Sequence, residues 1–167
     1  MIRVGLGVDF HRLAPGRPLW LGGVRIPADV GLLGHSDADV LCHAVIDAVL
    51  GAAGLGDIGE HFPPEDPAWA GADSLDLLRR TVALAGSAGF RVRQVDATLV
   101  AEAPRVSPHR AAMVAALAAA LGVAVGDVSV KATTPEGLGA LGRREGMAAV
   151  AVAVCERVDS GAPASLD

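Results

Sequence analysis

At 167 residues, with 51% hydrophobic but only 3% aromatic residues, the chain suits one domain whose core is built from Ala, Val and Leu, the composition of helices laid on a sheet. The formal net charge is -5 and no basic block occurs, which argues against a nucleic acid or an anionic membrane surface as the main partner. Two cysteines, Cys42 and Cys155, lack C-x-x-C spacing and exclude a disulfide framework; no leader pattern follows Met1 and no run approaches the roughly 18 apolar residues of a membrane span, so the cytoplasm is the expected compartment.

Residues 2–10, rich in Ile, Val and Gly, predict a strand leading into Asp9 and His11. Leu19-Trp20-Leu21 and Val24-Arg25-Ile26 flank Gly22-Gly23 and predict a hairpin. Asp37 to Ala53 is the best helix of the first half, with Val40, Leu41, Ala44, Val45, Ala48 and Val49 at three- and four-residue spacing; Asp39, His43 and Asp47 stack along its polar side. Gly54 to Asp73, full of Gly and Pro, predicts a long loop. Ser74 to Ala88 predicts an amphipathic helix capped by Asp73 or Ser74 and closed by Gly89. Phe90 to Val100 reads as a strand, Ser107 to Leu121 as an Ala-rich helix, Val128 to Ala132 as a short strand, and Gly137 to Gly146 as a Gly-rich segment. Met147 to Val154 is nearly all Ala and Val, which predicts a strand covered on both faces and therefore a second subunit against one of them. Residues 159–167 predict a flexible tail. The elements imply one mixed α/β (α+β) domain with helices on at least one face of a sheet.

Alternation puts Asp9 and His11 on one side of their strand, and the helix that follows Gly34-His35-Ser36-Asp37 can bring His43 up to meet them. One carboxylate and two imidazoles, with a position left open, make a candidate catalytic metal site; a strand end and an unrelated helical histidine are the plain alternative. Asp47, one turn after His43, is either an outer partner of that ring or a solvated helix residue. His35 and Ser36 stand where a helix begins, a place suited to a phosphate and equally to an ordinary N-cap. Lys131-Ala132-Thr133-Thr134-Pro135-Glu136 offers hydroxyls for phosphate oxygens and a carboxylate for Mg²⁺. His61 and His109 show no partner pattern and read as surface or cap residues, and Arg144 as part of a solvated turn.

Gly-Val-Asp-Phe-His (7–11), Gly-Gly-Val-Arg-Ile-Pro (22–27), Gly-Leu-Leu-Gly-His-Ser-Asp-Ala-Asp-Val (31–40), Gly-Asp-Ile-Gly (56–59), Val-Lys-Ala-Thr-Thr (130–134) and Gly-Arg-Arg-Glu-Gly (142–146) follow one another in an order that resembles the 2-C-methyl-D-erythritol 2,4-cyclodiphosphate synthases. The resemblance runs from about Arg3 to Cys155 and implies a single catalytic domain over residues 1–158, with a four-stranded mixed sheet, helices on one face, and a homotrimer packed through the other with active sites between subunits. It implies cyclisation of 4-diphosphocytidyl-2-C-methyl-D-erythritol 2-phosphate with release of CMP. Asp9, His11 and His43 are then the ligands of one Zn²⁺ per subunit, and Glu136 the ligand of Mg²⁺ or Mn²⁺. His35 and Thr134 stabilise the transition state. Ser36 meets the methylerythritol end, Asp57 and Gly59 the ribose or sugar portion, and Ile58 and Phe62 join the substrate contacts. Ala101, Ala103, Pro104, Arg105, Val106 and Ser107, with Ala132 and Thr133, form the cytidine pocket, and Arg143 completes the set.

Four departures accompany the resemblance. Pro64 stands where the family often has Asp, so the diol contact falls to Glu65 or to Asp66, or is lost. Arg105 replaces a common Lys, keeping charge but not point-donor geometry. Pro135 stands at a usual Thr, and Val8 and Ala140 where Phe is frequent, which argues against a lipid cavity along the trimer axis. Two rival functions remain at this level, a zinc phosphohydrolase and a non-catalytic nucleotide or isoprenoid-diphosphate binding protein.

Overall fold

Gly5 and Gly7 set how the chain closes on itself. Both lie in the first strand, β1 (Ile2–Pro15), and a Cβ on them would stand 2.0 Å from the Ala48 carbonyl oxygen and 1.9 Å from that of Ala44 respectively. Helix α1 (Val40–Ala53) therefore rests directly on the strand backbone. Every residue of α1 except Asp47 and Gly51 is buried, as a helix apolar on nearly all sides must be. Strand β1 covers one side of it and helix α3 (Ser74–Ser87) another.

The computed structural model describes residues 1–158, so the expected tail 159–167 lies outside the described residues. Its main sheet has the order β4–β1–β7–β5–β6, where β4 is Val30–Leu32, β5 Phe90–Val100, β6 Val128–Thr133 and β7 Gly146–Arg157. Only β5 and β6 pair in parallel. The sheet is mixed as expected but has five strands rather than four. The added strand, β4, is three residues long, too short to show alternation, and it pairs with Leu13 to Pro15, where β1 continues past its expected end at Phe10.

The short segments follow the same pattern of tertiary definition. β2 (Leu19–Leu21) and β3 (Val24–Ile26) form the expected hairpin. The long loop after Gly54 contains a one-turn helix, α2 (Ile58–His61), and a 3₁₀ turn at Pro67–Trp69. The helix expected from Ser107 begins as a 3₁₀ turn and becomes α4 at Arg110–Leu121, while α5 (Gly139–Gly142) interrupts the Gly-rich segment.

Burial alternates along the sheet in one register. Gly7, Ala151, Ala97 and Val130 lie in line across β1, β7, β5 and β6 and are all buried on the face that α1, α3 and α4 cover. The other face is open in the single chain. Val150, Val152 and Val154 of β7 are partly exposed there, so the chain itself covers the Ala/Val strand on one face and leaves open the face expected to meet a second subunit. Beside them Ile2, Val4, Leu6, Val8 and Phe10 are 44% to 64% exposed.

Candidate active site

The close contact of α1 with Gly5 and Gly7 fixes where the strand's next residues on that face must point. Asp9 and His11 follow at two-residue intervals, and His43 sits beside Ala44 on the helix. Three atoms converge: Asp9 Oδ2 lies 3.0 Å from His11 Nε2 and 3.1 Å from His43 Nδ1, and the two ring nitrogens are 3.0 Å apart. The opposite nitrogen of His11, Nδ1, is 2.7 Å from the Leu33 carbonyl, which can only accept. In the neutral ring Nδ1 thus holds the proton and Nε2 is bare.

A carboxylate oxygen and a bare imidazole nitrogen this close repel unless a cation lies among them. Burial alone would push the Asp9 carboxyl up, yet hydrogen bonds and charge from His11 and His43 hold it well below the ordinary carboxylate range. For His11, burial favours the neutral ring, but Asp9 outweighs it and raises the ring above the usual histidine value. The residues fit a divalent metal ion: the three donor atoms lie within 4.8 Å of one another, and ligands of a four-coordinate ion with bonds near 2.0 Å stand about 3.3 Å apart.

The N-terminus of α1 is organised by a residue expected on the helix's polar side with His43 and Asp47, which stands instead before the helix as its buried cap. Asp39, fully buried, accepts from the Leu41 and Cys42 N–H groups at 3.1 and 3.0 Å and from Gly22 and Gly23 in the β2–β3 turn at 2.9 and 2.6 Å. The helix thus begins at Val40, later than expected, and its first N–H groups are taken by its own cap rather than offered to a phosphate. Ser36 instead reaches the site through its hydroxyl, 3.2 Å from His43 Nε2, with His35 beside it. They border a cavity of about 280 Å³ with the three convergent residues, Ile58, Gly59 and Phe62, and with Pro64, Trp69 and Leu77. Trp69 packs edge-on against Phe62 with ring centroids 5.1 Å apart, and a lone Trp in a Gly/Pro-rich loop was the only sign of that wall.

Other candidates have different partners. Asp57 caps α2 through the Glu60 N–H at 3.1 Å, Asp66 caps the 3₁₀ turn through the Ala68 N–H at 2.9 Å, and neither they nor Glu65 line the cavity. Asp47 does not touch His43 by hydrogen bond; it accepts from the Ile58 N–H at 2.8 Å, and burial raises its carboxyl above the usual value. His61, expected as a surface or cap residue, is the last residue of α2 and is partly buried with Nε2 2.7 Å from the Leu55 carbonyl. Arg143 is exposed and donates from Nε to Glu145 at 2.7 Å.

A second cavity, about 210 Å³, opens where β5 and β6 end. Ala101, Pro104, Arg105, Val106, Ser107, Ala132, Thr133 and Thr134 border it, as does Glu102, which lies within the expected 101–107 span; Ala103 does not. Glu102 accepts from the Gly137 N–H at 2.6 Å and so ties this pocket to the turn carrying Glu136, which has φ 53° and accepts from the Thr134 hydroxyl at 2.9 Å. Asp9 and Leu99 both pair with Ala149, so the two cavities lie at one end of the sheet, separated by β7 and sharing no bordering residue.

The YgbB family model matches residues 2–156. A 2-C-methyl-D-erythritol 2,4-cyclodiphosphate synthase of Symbiobacterium thermophilum is 61% identical over 151 residues, 90% of this chain and 96% of that protein. Among solved structures, a CDP-bound form of such a synthase aligns with TM-score 0.85 at 40% identity, over 92% of this chain and 100% of that one. IspF of Plasmodium falciparum in complex with CDP aligns with TM-score 0.82 at 30% identity, over 95% and 97% respectively.

Proposed function

Because the chain belongs to the YgbB family, we propose that it cyclises 4-diphosphocytidyl-2-C-methyl-D-erythritol 2-phosphate to 2-C-methyl-D-erythritol 2,4-cyclodiphosphate and releases CMP, as a phosphorus–oxygen lyase of isoprenoid precursor synthesis. The observation that carries the reading is the convergence of Asp9, His11 and His43 beside a cavity already bordered by His35 and Ser36.

In this reaction an oxygen of the substrate's own 2-phosphate attacks the β-phosphorus. The bond from that phosphorus to the oxygen bridging the two phosphates breaks, and CMP leaves with the electron pair. No protein nucleophile is needed, which agrees with Cys42, whose thiol is fully buried and pushed up by that burial. The protein's work is to fold the substrate back and to meet charge where it develops. Zn²⁺ held by Asp9, His11 and His43, with Mg²⁺ or Mn²⁺ at Glu136, would offset the diphosphate charge and polarise the β-phosphorus. His35 and Thr134 donate to the phosphoryl oxygens, and Ser36, Ile58, Gly59 and Phe62 hold the methylerythritol end. Asp57, with Glu65 or Asp66, supplies the diol contacts. The pocket bordered by Ala101, Arg105, Ser107, Ala132 and Thr133 takes the cytidine, and Arg143 an outer phosphate oxygen.

The two cavities of one chain share no residue and a broad apolar face is left open, which supports a homotrimer in which the pocket of one subunit completes the metal end of its neighbour. No helix among the described residues is long and apolar enough to cross a membrane, and the reading takes the cytoplasm as the compartment.

The test is incubation of the metal-loaded protein with the cytidyl substrate, followed by ³¹P NMR. CMP and the cyclic diphosphate are expected in equal amounts, and His43→Ala is expected to reduce turnover to background. An open-chain bisphosphate would make the protein a phosphohydrolase, and tight binding without turnover would make it a binding module.

A further inference from the structure

The ring nitrogen of His43 that faces away from the triad is not in water. His43 Nε2 lies 3.0 Å from the Ser74 hydroxyl oxygen, and Ser74, the first residue of α3, is fully buried. That hydroxyl donates to Asp37 Oδ1, while Asp37 Oδ2 accepts from the Ser74 N–H at 2.9 Å. We propose that Asp37 and Ser74 are positioning residues that fix the tautomer and the aim of His43, and through it set the affinity of the Asp9–His11–His43 site for a divalent cation. The proposal rests on the metal-site reading given above.

The assignment follows from counting protons. An ionised carboxylate only accepts, so the single hydroxyl proton of Ser74 is committed to Asp37. Ser74 Oγ then has only lone pairs to offer His43, and Nε2 must carry the ring proton. In the neutral ring Nδ1 is left bare, and it is Nδ1 that stands 3.1 Å from Asp9 and 3.0 Å from His11. Ser36 Oγ, which accepts from the Ala38 N–H at 3.1 Å, lies farther from the same Nε2, at 3.2 Å. The relay presents a neutral hydroxyl to the ring and keeps the Asp37 charge one residue further away. His43 gains direction from it without a second carboxylate beside the cation.

The relay also joins two distant stretches of chain. Asp37 precedes α1, His43 lies within it, and Ser74 opens α3. The Asp37 N–H donates to the Ala72 carbonyl at 3.1 Å and the Gly71 N–H to the His35 carbonyl at 2.8 Å, so the segment bearing Trp69 is tied to the residues that aim the ring.

Two measurements test this. In the metal-free protein at about pH 8, above the ordinary histidine range, side-chain ¹⁵N NMR should show His43 as the Nε2–H tautomer; an Nδ1–H ring would overturn the proposal. For zinc, competition against a chromophoric chelator should show Ser74→Ala and Asp37→Asn each weakening affinity by about 10- to 100-fold while the metal-free melting temperature stays close to that of the parent. Affinities within twofold of the parent in both variants would equally overturn it. Ser74→Ala keeps the helix cap, which belongs to Asp73, and Asp37→Asn keeps every backbone contact that Asp37 makes through its own N–H, so one stands in if the other fails to fold. A parent protein that binds no zinc would refute the metal site, whereas the tautomer would still report on the relay.

Discussion

Asp9 and His11 shift in opposite directions, and together they set a pH window for the metal-free protein. Asp9 is depressed, so its contribution to stability is present above the unfolded carboxylate value and lost as pH falls through the lower folded value. His11 is raised, so its contribution is complete below the unfolded histidine value and lost as pH rises through the higher folded one. Both are in place between about pH 4 and about pH 6.5. The expected result is a melting temperature that is highest in that window for the chelator-treated protein and declines above it. Added zinc replaces the proton, so its stabilising effect should be larger at pH 8 than at pH 5.5; equal effects at the two pH values would contradict a shared site for proton and metal. At this scale the triad was legible because strand alternation has a fixed period. Ser74 and Asp37 were not, because a serine and an aspartate near helix starts look like caps, and only the meeting of two distant segments gives them another role.

Helix α1 and strand β1 are the elements on which the site depends, and their contact has a direct test. Gly7→Ala places a methyl group 1.9 Å from the Ala44 carbonyl oxygen, a backbone atom one residue from His43. Relief requires the helix to move off the strand, and we expect a loss of about 3 kcal/mol or more in chemical denaturation, together with weaker zinc binding as Asp9 and His43 separate. Gly86→Ala is the control. It lies in α3 with nothing within 4 Å of the added Cβ, and helix propensity alone should stabilise it by up to about 1 kcal/mol. Long periodic elements such as α1, α3 and β5 were legible to within a few residues. The start of α1 was not, since Asp37 and Asp39 are both acceptable caps in sequence and the choice is made by the Gly22 and Gly23 N–H groups. β4, α2 and the 3₁₀ turns were illegible for the same physical reason: three or four residues carry no period, and tertiary partners define them.

For the whole molecule, the Ala/Val pattern of β7 fits the proposed trimer better than it fits the isolated chain. The single chain buries Ala149, Ala151 and Ala153 and leaves the intervening valines half open beside Ile2, Val4, Leu6, Val8 and Phe10. An apolar face of this extent seldom stays in water, and a stable contact typically buries about 800 Å² on each partner. Leu6 is suited to a test because it is 64% exposed, lies on the face opposite Gly5 and Gly7, and has no part in either cavity. In Leu6→Asp, sedimentation should shift the protein from trimer to monomer while each chain keeps its fold and still binds one zinc ion. Turnover should fall to background, since the metal end and the cytidine pocket then belong to chains that no longer meet. A Leu6→Asp monomer with full turnover would show that a single chain bridges its own two cavities.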